Sequence, residues 1–188
     1  MIAVGMVGGD VTLRGIRAEH VHALSDRLIE AGLGLTYAEG SVRVQRSGRL
    51  RGVQVTTQPY PGFPTDLQAP LMALMAISDG VSVVHETIYP ERFMHVPELR
   101  RMGAVITREG SSAIIQGVAT LDGAPVNASD LRAAAALVLA GMAAENTTEL
   151  HGVEHLDRGY EGFELKLTRL GASICREETA PIKDAAVA

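Results

Sequence analysis

Tryptophan is absent from the 188-residue sequence, and cysteine occurs once, at Cys175. A single cysteine excludes an intrachain disulfide and suits a reducing compartment, so we expect a cytoplasmic location. Because aromatic residues make up only 4% of the chain, a packed core has to be built mainly from Ala, Val, Leu, Ile and Met. A chain of this length buries roughly 70% of its unfolded surface, so its core needs no disulfide or metal to hold it.

Long apolar runs and an excess of positive charge are also missing. The longest apolar run, residues 133–144, is shorter than the roughly 20 residues that a membrane-spanning helix needs. The apolar start has no basic leader and is interrupted by Asp10, so we expect no secretory signal. The formal net charge of −5 disfavours general nucleic-acid binding, which usually needs a basic face. Neither a membrane nor a nucleic acid is therefore an expected partner.

The sequence gives little support for a metal or a cofactor. His20 and His22 are two residues apart on a predicted helix and so face different sides of it. The remaining histidines show no ligand spacing, and the glycine-rich phosphate-binding and nucleophile-elbow motifs are absent. We therefore expect no metal site and no cofactor.

What the sequence does contain is an internal repeat. Three segments share an ending in which an amphipathic helix is stopped by a glycine, at Gly32, Gly103 and Gly171. A strand is predicted after each glycine, at residues 33–38, 104–108 and 172–176. In the first two units a second strand follows a short turn, at 41–45 and 113–116.

A longer helix precedes the glycine-stopped helix in the second and third units. These helices are predicted over residues 66–78 and 130–144, each followed by a strand, at 81–86 and 147–151. The first unit has only residues 2–7 in the corresponding place, so its repeat is truncated and the chain is predicted to be part of a longer protein or a truncated reading frame. We assign one domain, with repeats at about 1–57, 58–122 and 123–178 and a tail at 179–188.

The composition of the longer helices predicts how the layers are arranged. The helix at 130–144 is apolar nearly all round, and that at 66–78 is similar. A helix of this kind belongs inside the protein and not on a wet surface. The expected fold class is therefore α/β, with repeated helix–strand units, buried helices and sheets outside, which is an inside-out arrangement.

Polar residues cluster where strands meet helix starts. Thr65 and Gln68 match a capping box, which would place Asp66 in the first helical turn, where the helix dipole stabilises its charge. Asp130 and Arg132 occupy the equivalent place in the third unit. Taken singly, an aspartate at a helix start is usually a cap.

Three arginines at corresponding turns suggest more than capping. Arg92, Arg132 and Arg158 could converge at one end of the domain, and guanidinium groups suit two-pronged binding of carboxylate and phosphate. Singly, an arginine after a strand is usually a solvated surface charge. Among these arginines Asp66 would be ionised and ready to accept a proton, although the same surroundings weaken it as a base.

These clusters carry a resemblance to a known family. The motifs are Pro-Gly-Phe-Pro-Thr-Asp-Leu-Gln-Ala at 61–69, Arg-Phe-Met-His-Val-Pro-Glu-Leu at 92–99, Asp-Leu-Arg-Ala at 130–133, Leu-Val-Leu-Ala-Gly at 137–141 and Asp-Arg-Gly-Tyr at 157–160. Together they resemble the UDP-N-acetylglucosamine 1-carboxyvinyltransferase family, specifically its carboxy-terminal domain. The resemblance implies an inverted α/β barrel of three repeats. It also implies transfer of enolpyruvate from phosphoenolpyruvate to the 3-hydroxyl of UDP-N-acetylglucosamine, in peptidoglycan synthesis.

The resemblance also implies roles for individual residues. Asp66 would hydrogen-bond the 3-hydroxyl and act as its base. The residues expected to bind substrate are Thr65, Ile88, Arg92, Asp130, Arg132 and Arg158. Among them the arginines would hold anionic groups, Ile88 would contact the sugar nucleotide through its backbone, and Asp130 would support the site or move protons.

In the family the active site lies between two domains, and this chain resembles one of them. The other domain's Lys-Asn pair and its mobile proton-donor loop have no counterpart here, and Cys175 lies in the wrong segment for that role. The expected partner is therefore the amino-terminal domain, in cis or in trans, and the isolated chain is expected to be inactive. Two alternatives stay open: a non-catalytic fragment or split subunit, and a related enolpyruvyl transferase with another acceptor.

Overall fold

The computed structural model describes residues 1–177, so the predicted tail at 179–188 lies outside the described residues. The elements in chain order are α1 (Ile2–Val7), β1 (Gly9–Arg14), α2 (Ala18–Ala31), β2 (Gly34–Ala38), β3 (Ser41–Arg46), β4 (Gln54–Thr56), a 3-10 turn (Thr65–Leu67), α3 (Gln68–Ala76), β5 (Val81–His85), α4 (Val96–Arg101), β6 (Val105–Glu109), β7 (Ser112–Gln116), β8 (Pro125–Asn127), α5 (Leu131–Ala143), β9 (Glu149–His151), α6 (Glu154–Asp157) and α7 (Phe163–Arg169). No helix in this part of the chain is long and apolar enough to cross a membrane.

Three helices form the inner layer. Helices α1, α3 and α5 contact one another, every residue of α3 is buried, and α5 is buried over residues 133–140. Leu71, Leu74 and Leu137 are almost fully buried there, and each contributes roughly 1.5–3 kcal/mol through removal of apolar surface from water. Both helices that the sequence predicted to lie inside are therefore buried.

Strands make up three sheets. Their orders are β1-β3-β2, β4-β5-β7-β6 and β8-β9. The first is antiparallel, whereas β4 and β8 each run parallel to the next strand in their sheet. Alternation along β3 places Val42 and Val44 on the buried face and the residues between and beside them outward. The chain thus has an α/β fold, in which a helix or a loop follows each strand.

Two glycines show the same close approach in different units. The amide of Gly52 donates to Asp79 O at 2.8 Å, and the amide of Gly123 donates to Glu145 O at 2.6 Å. A Cβ atom built on Gly52 would lie 2.5 Å from Val81 O, and one built on Gly123 would lie 2.3 Å from Thr147 O. Because these contacts are with backbone atoms, neither site has room for a side chain.

The prediction of a strand at residues 172–176 is wrong. Residues 172–177 form no strand, and within the described chain β8 pairs only with β9. Ala172 and Ile174 instead pack against a small apolar cluster around α5 and α7. Arg176 binds both carboxylate oxygens of Asp157, at 3.0 and 2.6 Å. The alternation in this segment reflects packing on one side and an ion pair on the other.

Candidate active site

Four chain segments meet at one end of the inner helices. They are the end of β4, the 3-10 turn before α3, the loop that follows β5 and the start of α5. Hydrogen bonds join the first three segments through Glu86, and an ion pair joins the 3-10 turn to α5. The sequence-predicted residues Thr65, Asp66, Arg92 and Arg132 lie in this cluster.

Asp66 is held by two guanidinium groups. Its Oδ1 accepts from Arg132 Nε at 2.7 Å and from Arg92 Nη1 at 3.3 Å. The Asp66 side chain is 62% exposed, whereas Arg92 and Arg132 are 18% and 28% exposed. Two cations therefore face one carboxylate that a ligand can reach, and their guanidinium groups are of the kind that also bind a carboxylate or phosphate of a ligand.

Thr65 and Gln68 do not form the predicted capping box. Helix α3 has Leu67 at its N-cap and no side-chain cap. Instead Thr65 Oγ1 accepts from Arg92 Nη1 at 2.8 Å, and the buried Gln68 donates from Nε2 to Arg92 O at 2.9 Å. Both residues therefore hold Arg92, one by its side chain and the other by its backbone, and the capping prediction was wrong.

Glu86 is a residue of the site that the sequence reasoning did not select. It is fully buried and accepts hydrogen bonds from Thr57 Oγ1, Thr65 Oγ1 and the amides of Ile88 and Tyr89. Burial raises the pKa of Glu86, but these four hydrogen bonds outweigh it, and the net pKa lies below the usual value. The sequence does contain a pattern that indicates its burial, because the inward-facing alternation of Ser82 and Val84 in β5 continues to Glu86.

The loop after β5 carries Ile88 and Arg92. The Ile88 amide donates to Glu86 at 2.9 Å, so a backbone contact from Ile88 to a ligand has to come from its carbonyl oxygen. The Arg92 guanidinium lies 5.3 Å from the centre of the Tyr89 ring, within the range of a cation–π interaction. Arg92 is thus fixed by an aromatic ring as well as by Thr65.

Asp130 lies at the start of α5 and caps it. Its Oδ1 accepts from the amides of Arg132 at 2.7 Å and Ala133 at 3.2 Å. This cap fixes the first turn that carries Arg132. The buried His95 is nearby: burial lowers its pKa to about 4, and the charge of Asp130 opposes that shift.

Arg158 follows α6 directly. Gly159 packs closely on Leu131, since a Cβ atom there would lie 3.2 Å from Leu131 Cδ1. Burial raises the pKa of Tyr160, and the charge of Asp66 raises it further while that of Arg132 lowers it. The segment is therefore close to the Asp66–Arg132 pair. Within residues 1–177, however, Arg158 forms no ion pair with Asp66, so its convergence stays a prediction.

The described residues, 1–177, contain no group of three or more His, Cys, Asp or Glu side chains placed to hold a metal ion. The chemistry of the cluster is that of carboxylate and guanidinium groups. Such a set can bind anions, orient a hydroxyl and exchange a proton with it.

Comparison with known sequences identifies relatives of the chain. The sequence pattern of EPSP synthase (3-phosphoshikimate 1-carboxyvinyltransferase) matches residues 1–167. The chain is 56% identical over 174 residues to UDP-N-acetylglucosamine 1-carboxyvinyltransferase of Gluconacetobacter diazotrophicus, covering 93% of this chain and 41% of that protein. It is 54% identical over 178 residues to the protein of the same name from Anaeromyxobacter, covering 95% and 42%. The chain thus spans about two fifths of the length of these relatives.

Solved structures agree with the sequence comparison. The enolpyruvyl transferase NikO from Streptomyces tendae superposes with a TM-score of 0.81 at 30% identity, covering 91% of this chain and 41% of NikO. EPSP synthase from Acinetobacter baumannii superposes with a TM-score of 0.61 at 18% identity, covering 85% and 41%, and this second likeness shows the fold alone. The family predicted from the motifs is confirmed: the chain belongs to the EPSP synthase family of enolpyruvyl transferases.

Proposed function

We propose that the chain supplies half of the active site of an enolpyruvyl transferase. The reaction would move enolpyruvate from phosphoenolpyruvate to the 3-hydroxyl of UDP-N-acetylglucosamine, with release of phosphate, in peptidoglycan synthesis. The observation that carries the proposal is the Asp66 carboxylate, whose Oδ1 is shared by Arg92 and Arg132. The acceptor is inferred from relatives at 51–56% identity that are named for UDP-N-acetylglucosamine.

Asp66 is the proposed base. Its Oδ1 is occupied by the two arginines, while within residues 1–177 its Oδ2 accepts no hydrogen bond, so Oδ2 is the atom that would take the proton of the sugar hydroxyl. The Asp66 side chain is 62% exposed, so a substrate hydroxyl can reach this oxygen.

Arg92, Arg132 and Arg158 are proposed to hold the anionic groups of phosphoenolpyruvate and of the reaction intermediate. Arg132 uses Nε for Asp66, and in the described part of the chain its two Nη groups make no hydrogen bond. Those groups can face a carboxylate or phosphate in the two-pronged geometry that guanidinium favours. Thr65 and Ile88 would contact the sugar nucleotide, and Asp130 would support the site from its cap on α5.

The second half of the site is proposed to come from an amino-terminal domain, in cis or in trans. Asp66 is mostly exposed in this chain, which is expected of a residue that a partner domain covers. We also infer that the three sheets around buried helices form an inverted α/β barrel whose first repeat is truncated. The single cysteine favours a cytoplasmic place of action.

The test measures phosphate release from phosphoenolpyruvate and UDP-N-acetylglucosamine. The first sample is this chain alone, and the second is a chimaera in which it replaces the matching 41% of the Gluconacetobacter diazotrophicus relative. We expect activity from the chimaera only, and loss of that activity with Asp66→Asn. The matched control is Asp79→Asn, because Asp79 is an exposed aspartate that pairs with Arg49 and follows α3, at the opposite end of that helix from Asp66.

Each other outcome has a defined meaning. Activity from the chain alone would contradict the half-site. A folded but silent chimaera, with folding checked by circular dichroism, would contradict the proposed reaction. Turnover with 3-phosphoshikimate in place of the sugar nucleotide would instead support a related transferase with another acceptor.

A further inference from the structure

We infer that Glu86 is a positioning residue for the Asp66–Arg92 pair and acts on it through the hydroxyl of Thr65. The role of the pair in catalysis rests on the proposed function, whereas the arrangement that Glu86 sets does not. Glu86 is 0% exposed, so its carboxylate cannot contact a substrate. Its effect on the site has to pass through the groups bound to it.

The two oxygens of Glu86 serve different segments. Oε1 accepts from Thr57 Oγ1 at 2.7 Å, from the Ile88 amide at 2.9 Å and from the Tyr89 amide at 3.0 Å. Oε2 accepts from Thr65 Oγ1 at 2.8 Å. One oxygen therefore fixes the end of β4 and the loop after β5, and the other reaches the turn that carries Asp66.

The bond to Thr65 sets the direction of the next hydrogen bond. A threonine hydroxyl has one proton, and here that proton is donated to Glu86. The lone pairs of Oγ1 are then free to accept from Arg92 Nη1, at 2.8 Å. The same Nη1 reaches Asp66 Oδ1 at 3.3 Å. Glu86 thus fixes which way the Thr65 hydroxyl points. Thr65 in turn holds the Arg92 guanidinium group where it faces Asp66.

The hydrogen bonds that run from Glu86 through Thr65 to Arg92 need a carboxylate at position 86, and not merely a side chain of that shape. Three donors converge on Oε1, so a glutamine at position 86 would have to place its amide oxygen there. Its NH₂ group would then lie at the position of Oε2 and donate to Thr65 Oγ1. The hydroxyl proton of Thr65 would then have no acceptor at position 86, and the orientation of the hydroxyl would no longer be fixed. Glu86→Gln therefore removes the acceptor that orients Thr65 while keeping the side-chain volume.

Thr57→Val is the matched control. Thr57 donates to Oε1 of Glu86 and also accepts from the amide of Thr87, so its loss destabilises the same buried cluster. It leaves the bond between Oε2 and Thr65 intact. If Glu86 only holds the loops together, both substitutions should affect Arg92 equally. If Glu86 positions Arg92 through Thr65, only Glu86→Gln should affect Arg92.

The experiment first uses the chain itself and needs no ligand. Nitrogen-15 NMR of the arginine side chains, with the Arg92 signal assigned from an Arg92→Lys sample, reports how fast its guanidinium group rotates. We expect slow rotation in the wild type and in Thr57→Val, and fast rotation in Glu86→Gln and in Thr65→Val. Equal rotation in Glu86→Gln and Thr57→Val would overturn the inference. If Glu86→Gln does not fold, Glu86→Asp, whose shorter carboxylate is withdrawn from Thr65 Oγ1, is compared with Thr57→Val by the same criterion.

The chimaera supplies the functional readout. A misplaced catalytic group can cost about 10²-fold in rate, so we expect Glu86→Gln to lower kcat by up to that factor while Thr57→Val changes it by less than about 2-fold. Equal kcat losses would show that Glu86 acts only as a clamp. A wild-type chimaera without activity would count against the proposed function alone, because the rotation of Arg92 still decides the role of Glu86.

Discussion

Arg132 Nε and Asp66 Oδ1 lie 2.7 Å apart although 66 residues separate them in sequence. Asp66 precedes α3 and Arg132 lies in the first turn of α5, and these two buried helices pack against each other. Both helices therefore begin at the same end of the core. The packing of these two helices is therefore what brings Asp66 and Arg132 together.

Arg132→Lys is predicted to weaken binding of phosphoenolpyruvate in the chimaera. Lysine keeps the charge but lacks both the Nε donor to Asp66 and the planar fork of guanidinium. We expect KM for phosphoenolpyruvate to rise about 10-fold, equivalent to about 1.4 kcal/mol. Phosphate release at varied phosphoenolpyruvate measures it. Arg43→Lys, at an exposed ion pair with Asp10, should leave KM unchanged, and equal values for both variants would refute the prediction.

Asp130→Ala is predicted to destabilise the chain by about 1 kcal/mol, since it removes an N-cap that serves two amides of α5. Asp130→Ser should recover most of that loss, because serine is also a good N-cap residue. Urea unfolding of the three proteins gives the comparison. A serine variant as unstable as the alanine variant would mean that Asp130 stabilises the chain by something other than capping.

His95 is predicted to make the folded chain less stable in mild acid. Burial lowers the pKa of His95 from 6.5 to about 4, so between these pH values the unfolded chain binds the proton more readily. The free energy of unfolding should therefore fall as the pH drops from about 6.5 to 4, by up to about 3 kcal/mol. Urea unfolding across this range should show a weaker pH dependence in His95→Gln. Parallel profiles for the two proteins would contradict the prediction.

Gly117→Ala is predicted to destabilise the chain by about 3 kcal/mol or more. A Cβ atom at Gly117 would lie 1.5 Å from Ser78 O, whereas one at Gly48 would meet no atom within 4 Å. The clash is with backbone and cannot be relieved by a side-chain rotation. Gly48→Ala is therefore the control and should change stability by less than about 0.5 kcal/mol. Thermal unfolding compares the two, and equal effects would show that the chain around Gly117 adjusts freely.

Local sequence patterns predicted the buried helices and the ends of the glycine-stopped ones. Helix α3 is buried at all its positions, as its nearly continuous apolar sequence indicates. Gly32, Gly103 and Gly171 all have positive φ, at 103°, 91° and 97°, the conformation expected of helix-ending glycine. Both properties depend on residues close together in the chain, which is why the sequence suffices for them.

The positions of the clustered side chains were predicted in part. Asp66, Arg92 and Arg132 lie together, as their corresponding turns indicated, but the Thr65–Gln68 pattern predicted a cap that does not exist. A local capping box and a pair of long-range bonds to Arg92 use the same two side chains. Only the position of the loop after β5 decides between them. Glu86 was missed for a related reason, since its role depends on Thr65, which lies on another segment.

The sequence by itself determined which faces are buried, where the helices end and which family the motifs indicate, because apolar periodicity and turn residues act over a few neighbouring positions. The tertiary structure decided that residues 172–176 form no strand, since a strand exists only where another segment can pair with it. It also decided the partners of Arg92, Arg132 and Glu86. A hydrogen bond needs two groups within about 3 Å, and for groups far apart in the chain that distance is set by how the helices and sheets pack.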